Sequence, residues 1–396
     1  MADMTMMRRD RISELPAEIL DKIMGLLPIQ EAARMAVLST FWKDIWLNLT
    51  ELNFDFRFNL HIHKNSSYRQ SDTCLFPEFS VINKVLMQHN GHIHKFVFVS
   101  YFHGVSLKSW SYHIDQWLLL VTQKGVEEIF LSIDREVEYE YILPSCIYSC
   151  PTLKKLYISG VSIERVIAPC VIPNITSLCL VSVACKPNAR QEDLKIDLPM
   201  LENLSFIRCK NMIHCNIAAP VLGALAIKGP GSISVNLNWR SLRTLDLDAL
   251  SLKSLVEDFC RSLQPPALNV ELLKLSNVIT PNDDVSSAFI HLLKLCPKLV
   301  KLDMNMQFLE GLRNCLESGS ELSMELYDVA QTRNLLHSLS LEFDECESCM
   351  PLVKGLLASF PTLEKFIVSD LNSGFKQKIL EFPRASTKVE LVLSHT

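Results

Sequence analysis

The side chains best suited to chemistry occur in isolated pairs. His61-Ile-His63 and His92-Ile-His94 each place two imidazoles two residues apart, with His89 and His103 nearby. On a strand such a pair shares one face, but a metal centre needs three or four ligands and a supporting layer of hydrogen bonds. Exposed loop or edge histidines are therefore expected. Cys346-Glu-Ser-Cys349 is a lone C-x-x-C, with no second pair at zinc-ribbon spacing and no βαβ pattern around it. Gly229-Pro-Gly231 is too short, and too interrupted by proline, to cradle a phosphate. No Ser/His/Asp order, framed carboxylate pair or HExxH is present. Nothing here favours catalysis, a cofactor or a metal, so the expected function lies in binding surfaces.

Composition narrows the class. At 396 residues the chain exceeds a single core, which predicts two units or an elongated array. Apolar residues at 48% and charged residues at 21% are those of a folded chain. A net charge of −5 leaves no basic footprint, so no nucleic-acid partner is expected. The first ten residues are polar and charged, no secretory core follows them, and no charge-free run reaches the roughly 20 residues that cross a bilayer. No membrane partner is expected. The thirteen cysteines lie singly in apolar segments and read as reduced, buried small hydrophobes. The expected location is the nucleus, the cytoplasm or both.

Two kinds of element must position any surface. The first lies in residues 10–50. Pro16 suits a helix start, and Ile19, Leu20, Ile23, Met24 and Leu27 form an apolar stripe behind it. Pro28 ends that helix, and a second begins near Ile29 with Ala32, Ala33, Ala36 and Val37 on its apolar side. Ser39 can cap a third, carrying Trp42, Ile45 and Trp46. Three helices of this length bury too little surface to stand alone.

Asp10, Arg11, Ile12, Ser13, Leu15, Pro16, Ile19, Leu20, Ile23, Leu27, Pro28, Ala32, Val37, Leu38, Ser39, Trp42 and Trp46, with Leu52-Asn-Phe-Asp55 as an exit, together resemble the plant F-box. Phe41, where a basic residue is common, and Gln30-Glu31, where Lys or Arg is frequent, depart from the pattern. The resemblance implies a surface for a Skp1-type adaptor and, through it, a cullin–RING ubiquitin ligase. Its implied adaptor-binding residues are Leu15, Pro16, Ile19, Leu20, Ile23, Leu27, Pro28, Val37, Leu38, Trp42 and Trp46.

The second kind of element is a repeat. The template apolar-x-x-apolar-x-apolar starts at Ile93, Val126, Leu153, Ile175, Leu201, Leu222, Leu242, Val270, Leu299, Leu336 and Leu363, with a mean period of 27 residues and steps from 20 to 37. That period falls in the leucine-rich-repeat range of about 20–29 residues. Prolines precede several starts, as in Cys150-Pro-Thr-Leu153 and Phe360-Pro-Thr-Leu363, and stop the preceding segment. Alternation predicts strands with Leu156 and Ile158 inward and Lys155, Tyr157 and Ser159 outward. Val285–Leu295 and Leu352–Phe360 read as helical returns. The segment from Leu335 to Ile367 resembles the FBD segment that closes many plant F-box/leucine-rich-repeat proteins.

The expected fold is α/β: a three-helix F-box at 8–55, a linker or atypical first repeat at 56–90, leucine-rich repeats at 91–330 and FBD-like repeats at 331–396, with a parallel sheet on the concave face. The polar tract His61–Asp72 reads as a loop or link. Outward strand positions make the candidate target-binding face: Lys155, Tyr157, Asn203, Asp246, Asp248, Lys301, Asp303 and Asn305, with Ser177, Ser205 and Thr244. Asp246, Asp248 and Asp303 could form an acidic patch for a basic ligand, and a one-residue register error would void the assignment. The resemblance implies a substrate-recognition subunit of an SCF ubiquitin ligase with no catalytic residue of its own. The alternatives are a non-proteolytic Skp1-binding scaffold and a small-ligand co-receptor that uses the repeat face.

Overall fold

The computed structural model describes residues 12, 14–65, 77–100, 110–133, 141–163, 172–185, 194–211, 214–229, 234–237, 239–261, 268–276, 283–305, 327–329, 335–342, 350–369 and 378–394. Asp10, Arg11, Ser13, His103, Gly231 and the Cys346/Cys349 pair lie outside them. The described residues form two compact units, one running to residue 163 with 172–175 added, the other from 176 onward.

The first unit opens with helices α1 (Ala17–Gly25), α2 (Ile29–Met35) and α3 (Thr40–Leu47). Pro16 and Pro28 stand at the N-caps of α1 and α2, and Ser39 caps α3 by accepting the Trp42 N–H at 3.3 Å. Next in the chain are β1 (Glu51–Phe54), α4 (Phe56–Asn65), α5 (Pro77–Gln88), β2 (Lys95–Ser100), α6 (Ser111–Gln123), β3 (Glu128–Ile133), α7 (Ser145–Tyr148), β4 (Lys155–Ser159) and β5 (Ser162–Ile163). Strands β1 to β4 pair parallel in chain order. The polar tract therefore begins as helix, not as a loop, because α4 runs through its first five residues; residues 66–72 lie outside the described ones.

The second unit contains β6 (Ser177–Val181), β7 (Ala184–Cys185), β8 (Leu194–Asp197), β9 (Asn203–Ile207), β10 (His214–Ala218), β11 (Ala224–Lys228), β12 (Ser234–Asn236), β13 (Thr244–Asp248), α8 (Ala249–Arg261), β14 (Leu272–Ser276), α9 (Asp283–Leu295), β15 (Lys301–Met304), β16 (Ser338–Glu342), α10 (Met350–Ser359), β17 (Lys365–Ser369) and β18 (Glu390–Ser394). Its main sheet runs β6-β9-β11-β13-β14-β15-β16-β17-β18, with every described pair parallel. Both expected helical returns are present as α9 and α10. The short returns between β6 and β13 differ: β8, β10 and β12 pair into a second parallel sheet.

The template and the strand register coincide. Its fourth position is buried in every repeat from Leu52 to Phe366, with Leu391 of β18 half-buried, and aligns as Leu52-Phe96-Ile129-Leu156 in the first unit. In the second it aligns as Leu178-Leu204-Leu225-Leu245-Leu273-Leu302-Leu339-Phe366-Leu391. The backbone carries a matching device. At template position two, the carbonyls of Thr50, His94, Glu127, Thr176, Glu202, Gly223, Arg243, Glu271, Val300 and His337 each accept two successive N–H groups from the next repeat, at 2.7–3.1 Å. Using both lone pairs of one carbonyl fixes where each strand begins. Before position one, Thr152 and Thr362 donate their hydroxyls to the carbonyls of Val126 and Leu336 one repeat earlier.

Two strands escaped the template search. Leu49-Thr-Glu-Leu-Asn-Phe54 fits it and forms β1, placing a repeat directly behind the helices. Strand β18 fails the template because Lys388 stands where an apolar first position is needed.

The helical head is tied to this ladder. Asp21 of α1 accepts both the N–H and the hydroxyl of Thr50. His89, buried at the end of α5, donates from Nε2 to the Leu49 carbonyl at 2.9 Å, and Asn90 N–H reaches the Leu47 carbonyl at 2.8 Å. Burial pushes the His89 pKa below its ordinary 6.5 against the opposing hydrogen bond to the Leu49 carbonyl, with the neighbouring Lys124 adding to the effect and Asp21 opposing it. The folded state thus holds a neutral imidazole that the unfolded chain protonates more readily. Its contribution is complete above pH 6.5 and is lost as pH falls through the depressed folded value. Melting temperatures from about pH 8 to about pH 5 should therefore drop on the acid side more steeply for the native chain than for His89→Gln.

Candidate docking surfaces

Helix α1 carries two apolar stripes, not one. Leu20 and Met24 face inward, Leu20 at 1% exposure, with Ala32 of α2 and Trp42 of α3 (7%) also in the head's core. Leu15, Ile19, Ile23 and Leu26, spaced four, four and three residues apart, lie exposed along another line. Val37 and Leu38, between α2 and α3, add to the exposed apolar surface; Leu26 and Val37 are both 86% exposed. Ile12 and Phe41 are exposed as well.

The sequence-derived head residues divide accordingly. Leu15, Pro16, Ile19, Ile23, Val37 and Leu38 are exposed, Leu27, Pro28 and Trp46 are half-buried, and Leu20 and Trp42 belong to the core, so those two cannot present a free surface. Leu26 was not among the expected residues, though its spacing from Ile23 was the available signal; Ile12 was read as part of the F-box pattern and Phe41 as a departure from it, neither as adaptor-binding.

The outward strand face does not gather Asp246, Asp248 and Asp303 into one acidic patch. Asp246 is paired with Lys228 at 2.8 Å and stands in register with Lys274, which separates it from Asp303; Asp303 is paired with Lys301 at 3.2 Å. Asp248 is buried and structural. Its two oxygens accept the N–H groups of Ser251, at 2.8 Å in the first turn of α8, and of Gly229. Gly229 has φ +128°, and a Cβ there would lie 2.6 Å from the Arg208 Cα, so glycine is required. Asn203 is exposed, Lys301 and Asn305 are partly so, and Lys155 donates to Glu128 at 2.6 Å, which raises the lysine pKa. Tyr157 stacks on Phe130 with ring centroids 4.0 Å apart.

His61-Ile-His63 lies on α4 and His92-Ile-His94 precedes β2, where both His92 and His94 act on the Glu127 carboxyl. His94 sits 3.4 Å from Glu127, which Lys154 also binds at 2.6 Å, holding that carboxyl below its usual range. Among the described residues no group of three or more His, Cys, Asp or Glu side chains is gathered as metal ligands. The described helices include none long and apolar enough to cross a membrane.

Comparison with known proteins locates both parts. The F-box domain family matches residues 12–53, and the family described as FBD-associated F-box protein At5g56370, LRR repeats, matches residues 114–229. The F-box/FBD/LRR-repeat protein At1g13570 of Arabidopsis thaliana is 31% identical over 222 residues, 56% of this chain and 49% of that protein. The F-box/LRR-repeat protein At3g26922 of the same plant is 25% identical over 66% of this chain and 83% of its own length. The FBD-associated F-box protein At4g10400, also of Arabidopsis thaliana, is 26% identical over 60% and 55%. The chain thus spans about half of the first and third of these relatives.

The buried and exposed placements set two stability outcomes. Leu20→Ala should cost about 2–5 kcal/mol in chemical denaturation by leaving a core void, whereas Ile23→Ala one turn away should stay within about 0.5 kcal/mol. Asp248→Ala should cost about 1–3 kcal/mol by orphaning the α8 start and the Gly229 N–H.

Proposed function

Because the chain carries an F-box followed by leucine-rich repeats of the FBD-associated plant type, we propose that it is the substrate-recognition subunit of an SCF ubiquitin ligase. The head docks on a Skp1-type adaptor and through it on a cullin–RING core. The outward face of the repeats holds a target protein for ubiquitination, in the nucleus, the cytoplasm or both.

The observation that carries this reading is the second stripe of α1. Leu15, Ile19, Ile23 and Leu26, with Val37 and Leu38 nearby, leave more apolar surface in water than three short helices have reason to expose. They sit within the segment that matches the F-box. Below them, Asp21, Leu47 and Leu49 bond to the first repeats, so the head is fixed to the strand ladder and not loosely tethered.

The mechanism is one of proximity. This reading requires no catalytic residue in the chain. Holding a target and a ubiquitin donor in one assembly raises their effective concentration, and that alone accelerates transfer.

Calorimetry of the full chain against a purified Skp1-type adaptor tests this. Leu15→Ala/Pro16→Ala and Ile23→Asp should each weaken binding by about tenfold or more, since exposed anchors at the centre of an interface dominate its energy. Native affinity in folded variants of this kind, or no binding by the native chain, would refute the reading.

A further inference from the structure

In the first unit the outward faces of β1 to β4 form three cross-strand rows. The first is Glu51-Lys95-Glu128-Lys155, which alternates in sign and sums to zero; Lys155 is bonded to Glu128 at 2.6 Å. The second is Asn53-Val97-Phe130-Tyr157, and its two rings stack with planes 5° apart. The third holds Val99, Ser132 and Ser159.

These rows differ from an ordinary solvated sheet face in two respects. Their charges are already neutralised in register, so a charged ligand meets a sign-matched neighbour beside each opposite charge and gains little. Their centre is apolar and aromatic, and the face-to-face contact of Phe130 with Tyr157 fixes both rings before anything binds. A pre-ordered aromatic surface loses little side-chain entropy on binding. Ser132 and Ser159 beside it supply hydroxyls that suit a peptide backbone.

We infer that this face of the first repeats recognises the target, and that it takes an uncharged peptide segment anchored by an aromatic or large aliphatic side chain. The inference rests on the repeats being the target-holding part of a ligase receptor. Four strands span about 14 Å, so the recognised core is about four extended residues. The contact is one of ring packing and hydroxyl hydrogen bonds, with no ion pair at its centre.

Random-peptide display on the immobilised full-length chain tests the inference. The native protein should enrich uncharged sequences carrying Phe, Tyr, Trp, Leu or Met, and their capture should change less than about twofold between about 0.15 M and about 1 M salt. Tyr157→Ser should lower capture of the selected peptides about tenfold, as truncation of an interface anchor does. Arg243→Ala/Glu271→Ala, which removes an exposed charge pair of the second unit and leaves the rings, should capture the same peptides. Adaptor affinity measured on each variant should equal the native value, so failure of this inference is separable from failure of the adaptor assignment. Enrichment of basic or acidic peptides, no enrichment, or equal capture by a folded Tyr157→Ser protein would overturn it.

Discussion

The rest of the structure depends on one backbone constraint, the carbonyl at the second template position that accepts two N–H groups from the following repeat. It sets the start of each strand, and a parallel strand once started has no freedom of register. The fourth position then falls against its counterpart in the next repeat, and leucine, isoleucine or phenylalanine there closes a continuous ladder. Steps as different as 20 and 37 residues are tolerated because only the entry and the strand repeat. The return can be a helix, as in α9, or a strand of the second sheet, as in β10.

The same constraint makes the outward face a set of cross-strand rows whose chemistry differs from place to place. Carboxylates that look clustered in sequence are interleaved with lysines in space. Asp246 has Lys228 and Lys274 on the strands either side, and Asp303 has Lys301 on its own strand. Asp248 is turned to structural work by the α8 start and by Gly229, whose backbone no other residue would adopt without strain. What remains distinctive is the neutral aromatic row of the first unit.

The head obeys a different logic. Its helices have seven to nine residues, too short to be stable by propensity, and they persist by packing Leu20, Met24, Ala32 and Trp42 together and by bonds from Asp21 to Thr50 and from the Leu47 and Leu49 carbonyls to Asn90 and His89. Spending one stripe of α1 on that core leaves the other for a partner. Burial of the imidazole at the join favours its neutral form, although the Leu49 carbonyl it bonds works the other way.

The amino-acid sequence by itself determined the three helices, the cap at Ser39, the strand template and the helical returns α9 and α10. Each of these is written in local periodicity or in the order of a few residues. It also held β1, whose template at Leu49 was there to be read. Only the tertiary structure decided which stripe of α1 is buried. Leu20 and Ile23 are equally apolar and three residues apart, and the difference between them is what packs against each. Only the register decided that Asp246 lies between Lys228 and Lys274 and that Phe130 lies on Tyr157, since these cross-strand partners are 18–28 residues apart in the chain. Contacts across strands depend on where each strand begins, and that is set by backbone hydrogen bonds to a neighbour, not by the side chains of the strand itself.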